Sequence, residues 1–72
     1  MSTAIHLLDV VALTADLPRR GLGRGQVGTV VEVLAPDLLE VEFSGNDGRA
    51  YDTKALHADQ LMVLRYEPIN VA

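Results

Sequence analysis

Cysteine is absent from the 72-residue chain. That removes disulfide staples and thiolate metal ligands, two devices that reinforce small domains. Aromatic side chains are nearly as scarce: Phe43, Tyr51 and Tyr66 are the whole set, and tryptophan is missing. A proline-peptide groove is lined by several exposed rings, and single-stranded nucleic acid is held on stacking platforms. Three rings, of which Phe43 and Tyr51 are expected in the core, supply neither. Positive charge is short as well, with six Lys and Arg against ten Asp and Glu and a net charge of −4. Proteins that bind nucleic acid neutralise phosphates with a basic stripe, so the balance argues against nucleic acid as the main partner. No run approaches the roughly 18 apolar residues of a membrane span. Residues 1–8 have neither the basic start nor the long apolar centre of a signal peptide. The expectation is a cytoplasmic protein without membrane contact.

What is present is apolar: 49% of the residues are hydrophobic. A chain this short buries only about 60% of the surface its unfolded form exposes. The excess implies a covering partner or a second copy. The chain reads as one all-β domain with its core over about 8–66 and a loose tail at 67–72. Asp9-Val10-Val11-Ala12-Leu13 is the first strand candidate. Residues 14–25 hold Pro18, Gly21, Gly23 and Gly25 and read as a long surface loop. Val27 to Leu34 is a second strand, Ala35-Pro36-Asp37 a turn, and Leu39 to Phe43 a third strand. In the third, apolar residues alternate with Glu40 and Glu42, which directs Leu39, Val41 and Phe43 inward. The same argument from Glu32 directs Val31 and Val33 inward. Residues 44–48 read as a hairpin loop, Arg49 to Thr53 as a fourth strand, His57 to Gln60 as one helical turn and Leu61 to Arg65 as a fifth strand. Five short strands with one long loop after the first describe a small SH3-like barrel.

Arg24-Gly25-Gln26-Val27-Gly28-Thr29-Val30-Val31-Glu32-Val33 resembles the core of the KOW motif, in which Gly25 and Gly28 would let the chain bend from loop into strand. A longer series occurs in order: Asp9 to Leu13, Asp16-Leu17-Pro18, Gly21-Leu22, Arg24 to Val33, Glu40 to Phe43, Asp47-Gly48-Arg49 and Ala58-Asp59-Gln60-Leu61. Over residues 9–64 the chain resembles the bacterial family of domain of unknown function 4926. The resemblance implies an SH3-like fold in a small stand-alone bacterial protein. It implies no activity and supplies no site residues.

Arg19, Arg20 and Arg24 place half the basic residues on one loop of an acidic chain. One reading is contact with an anion, a nucleic acid or an acidic partner. The other is a solvated loop whose arginines pair with Asp16 or the acidic strand faces. His6, Asp52, His57 and Asp59 lack the spacing of a zinc set, and Asp59 is expected to satisfy backbone donors of the helical turn. Ser2 and Ser44 have no base placed by a motif. No catalytic residue, cofactor or metal is expected. Apolar residues beyond the core include Ile5, Leu7, Leu8, Val10, Ala12, Met62, Leu64, Ile69 and Val71. Leu7, Leu8, Val10, Met62 and Leu64 are the candidate interface. The expected function is a non-enzymatic protein-interaction module. It self-associates as a homodimer, or docks on a larger protein as an accessory subunit or as an antitoxin or immunity-like neutraliser. A KOW-like RNA- or ribosome-binding role is the alternative, by analogy of fold alone.

Overall fold

The computed structural model describes residues 5–44 and 50–64. The 44–48 loop beyond residue 44, the side chain of Tyr51 and the tail with Ile69 and Val71 lie outside the described residues. Five strands form one antiparallel sheet: β1 (Val10–Leu13), β2 (Val27–Ala35), β3 (Leu38–Ser44), β4 (Ala50–His57) and β5 (Leu61–Val63). Their order across the sheet is β4-β3-β2-β1-β5. Two 3-10 turns, Pro18–Arg20 and Ala58–Gln60, punctuate it. The all-β class stands, but the sheet is not closed into a barrel. β5 has three residues, all of which pair with β1, and β4 remains the opposite edge.

The sheet nevertheless curls round a core drawn from every strand: Val11 and Leu13, Val30, Leu39, Val41 and Phe43, Leu56, and Leu61. Leu22 plugs it from the long loop, and Ile5, expected among the surplus surface residues, packs against it. Leu39, Val41 and Phe43 are fully buried, as their alternation with glutamate requires. β2 departs from expectation. Val30 is buried, whereas Val31 and Val33 are exposed by 38% and 45%. The register supplies the reason: Val30 pairs with Val41 and Glu32 with Glu40, so Val31 is the additional residue of a β-bulge. A second irregularity falls between Val33 and Ala35. The same half of β2 has run past β1, whose pairing with β2 ends at Thr29.

Two glycines act for different reasons. Gly25 sits at φ 88, in the left-handed region that glycine favours. Gly28, expected to permit a bend, instead permits close packing: a Cβ there would stand 2.7 Å from the Glu42 carbonyl oxygen. The turn before β5 is secured by Gln60, whose Oε1 accepts the His57 N–H at 2.9 Å. The role expected of the Asp59 carboxylate thus falls to its neighbour.

Candidate functional site

Sheet register sorts the apolar residues outside the core. On β1, Val11 and Leu13 point inward, so Val10 and Ala12 belong to the outer face, where Ala12, expected among the surplus residues, is nonetheless buried at 9% exposure. Ala12 pairs with Val27 on one side and Met62 on the other. Val10 pairs with Thr29, and its carbonyl accepts the Leu64 N–H. The outer face of β5, β1 and β2 therefore carries a band of Met62, Ala12 and Val27 beside Leu64, Val10 and Thr29. Met62 is 56% exposed and Val27 44%, while Val10 and Leu64 are half-buried. Across β3 the band turns acidic, with Thr29 paired to Glu42 and Glu32 to Glu40.

Leu7 and Leu8 form the turn that leads into β1, and they are 55% and 70% exposed. Leu8 holds φ 72, a conformation that costs a residue with a side chain about 1–2 kcal/mol. Three bonds hold it there. The Leu8 N–H donates to the Val30 carbonyl at 2.8 Å, the His6 N–H to Asp9 Oδ2 at 2.8 Å, and the Asp9 N–H to the His6 carbonyl at 3.1 Å. The chain thus holds two leucines in water at a conformational cost. All five candidate interface residues are at least partly exposed, and register adds Val27. The signal for Val27 was its place next to the inward Gly28.

The arginine loop is built rather than slack. Leu17 and Leu22 exchange backbone hydrogen bonds of 2.8 and 3.1 Å, closing a short arch over Pro18–Arg20. Gly21, at φ 70, ends the 3-10 turn and bonds back to Pro18. Asp16 Oδ1 accepts the Arg24 backbone N–H at 2.8 Å, so the carboxylate nearest in sequence serves the backbone instead of a guanidinium. Gln26 Oε1 accepts the Gly23 N–H at 2.8 Å. Arg19, Arg20 and Arg24 are all exposed. The ion pairs found among the described residues are His6 with Asp9 and Lys54 with Asp52, the latter at 3.0 Å. The Lys54 hydrogen bond lowers the Asp52 carboxyl from its ordinary value, with smaller help from the Thr53 N–H and the charge of Arg20.

Residues 16–20 line an open depression of about 340 Å³. Among the described residues no three metal-ligating side chains gather; of the set His6, Asp52, His57 and Asp59, His6 faces Asp9 and Asp52 faces Lys54. No helix among them is long and apolar enough to cross a membrane.

The model of the family described as "Domain of unknown function (DUF4926)" matches residues 7–63. No curated protein and no solved structure matches the chain.

Proposed function

We propose that this chain, which belongs to the family of domain of unknown function 4926, is a protein-interaction module that pairs with a second copy of itself through the outer face of β5, β1 and β2. The observation that carries the reading is the exposure of Leu7, Leu8, Val27 and Met62 around one strand, β1. Exposed apolar residues gathered around one strand mark an interaction surface more often than a solvated one. A twofold contact is self-complementary, so one patch suffices for both partners. The strained Leu8 backbone supports the same reading, since strain persists where it serves a function. Acidity and the burial of Phe43 weigh against stacking or phosphate contacts as the main interaction.

Sedimentation velocity tests it on the wild type and on the Val27→Lys/Met62→Lys variant, whose substitutions fall on exposed positions. The wild type should sediment as a dimer at high micromolar concentration and the variant as a folded monomer. A wild type that stays monomeric overturns self-association. If that monomer captures a larger protein in a way the double substitution abolishes, the face docks on a foreign partner as an accessory or neutralising subunit would. If it shifts RNA tightly at physiological salt, the KOW-like role replaces this one.

A further inference from the structure

β2 runs on after its neighbour has stopped. Its last bonds to the segment that leads into β1 are at Val30, whose N–H donates to the Asp9 carbonyl at 2.9 Å and whose carbonyl accepts the Leu8 N–H at 2.8 Å. From Val31 to Ala35 the strand pairs, among the described residues, with β3 alone. The sheet at that level is β4-β3-β2, and β2 is its edge. These five residues span about 17 Å at 3.3 Å per residue, the length of an ordinary strand. Roughly half of their N–H and C=O groups face away from β3. Lysine and proline, which commonly blunt an edge, are absent from the stretch. Two register shifts bend it, which discourages indiscriminate pairing without removing the donors and acceptors.

Pairing sorts the two faces of this edge. Val33 stands opposite Leu39 and Leu39 opposite Leu56, so the inner face carries the row Leu56, Leu39, Val33. Leu39 and Leu56 are buried, yet Val33, where the row ends, is 45% exposed. On the outer face Glu32 stands opposite Glu40, and Glu40 opposite Ala55. Like charges directly opposite each other destabilise a sheet, and among the described residues no cation is within ion-pair distance of either glutamate. The edge therefore presents an unfinished apolar row on one face and unneutralised negative charge on the other.

We propose that Val31–Ala35 is a docking edge for an extended segment of a partner protein in which apolar residues alternate with lysine or arginine. The segment adds as a further strand beside β2. Backbone hydrogen bonds hold it, and alternate side chains choose it. Its apolar residues lie beside Val33 and continue the row from Leu56 and Leu39. Its cations lie beside Glu32 and offset the repulsion between Glu32 and Glu40. A segment bearing carboxylates at those positions would add a third negative charge to the same row. The edge is separate from the outer band of Met62, Ala12 and Val27, so this docking goes beyond self-association and does not depend on it.

Fluorescence anisotropy of the labelled peptide Thr-Val-Lys-Val-Lys-Val-Thr, titrated with the full chain in low salt, tests it. The wild type should bind this peptide and reject its counterpart with glutamate in place of lysine. Glu32→Lys, a change at an exposed position, should weaken binding about tenfold, as a cross-strand attraction becomes a repulsion. The fully N-methylated peptide keeps the charge but loses the backbone donors, and it should not bind. Amide hydrogen exchange should slow at residues 31–35 in the complex. Val27→Lys/Met62→Lys should bind as the wild type does, which separates this edge from the self-association face. Circular dichroism checks that each variant is folded. No binding at millimolar peptide would overturn the proposal. Equal binding of the N-methylated peptide would reduce it to charge attraction and overturn strand addition. Protection at Ala50–His57 instead of residues 31–35 would place the docking on the opposite edge and overturn it too.

Discussion

Replacing Gly28 with alanine places a methyl group where β2 and β3 approach most closely. Its carbon would stand 2.7 Å from the Glu42 carbonyl oxygen, 2.7 Å from Val41 Cγ1 and 3.0 Å from Phe43 Cδ1, against an ordinary contact of 3.4 Å or more. The strands would have to part by about 0.7 Å, the difference between these two distances. β3 cannot yield freely, because Glu42 and Phe43 are also paired with Thr53 and Asp52 of β4. Val41 and Phe43 have no solvent to retreat into, being fully buried. Overpacking of a core costs about 1–3 kcal/mol, and a backbone obstacle puts this case at about 3 kcal/mol. A domain of this length has roughly 4–11 kcal/mol of total stability. At about 4–8 °C per kcal/mol, melting should fall by about 12–24 °C. Gly23→Ala is the control: its nearest atoms are the side-chain oxygens of Asp16 and Gln26 at 3.7 and 3.9 Å. It should melt as the wild type does or gain up to about 1 kcal/mol through a less flexible unfolded chain. Thermal and urea denaturation followed by far-ultraviolet circular dichroism decide the matter. A Gly28→Ala protein that melts within about 4 °C of the wild type would refute the close approach.

The bulge in β2 is testable at adjacent residues: Val30→Asp should lose several kcal/mol by burying an unpartnered carboxylate, and Val31→Asp should stay within about 0.5 kcal/mol. Equal urea midpoints for the two would return Val31 to the core. In the long loop, Leu22→Ala should cost about 2–5 kcal/mol, while Arg19→Ala/Arg20→Ala should cost less than about 1 kcal/mol; thermal melts in which the arginine pair is the more damaging would make the guanidiniums structural. The Lys54 hydrogen bond gives Asp52 a folded-state pKa below its ordinary 3.8. Its contribution is therefore present above that value and is lost as pH falls through the lowered one. Lys54→Gln should thus lower the urea midpoint slightly at neutral pH and not in strong acid, and a gap that persists in acid would assign Lys54 to packing.

The sequence reading went furthest where charge brackets apolar residues on both sides. Glu40 and Glu42 leave β3 one register, and the strand adopts it. In β2 the single Glu32 left the register open, because a bulge adds a residue without altering the local pattern. Only pairing with β3 separates the inward Val30 from the outward Val31. β4 was read too short for a related reason. Lys54-Ala55-Leu56-His57 has no β-branched residue, yet β3 pairs it through to Leu38↔His57, tertiary contact overriding propensity. In the loop, glycine and proline advertised a surface loop while Leu17 and Leu22, which close it, looked like any two leucines.

Exposure of the candidate interface was legible because Leu7, Leu8 and Met62 exceeded what so small a core can hold. Position was not. Composition counts five arginines and four glutamates but places none of them. The outer apolar band exists only once Val10 is paired with Thr29 and Ala12 with Val27 and Met62. A residue surplus could therefore call for a partner without choosing the surface, and sheet register is what gathers part of that surplus onto one face.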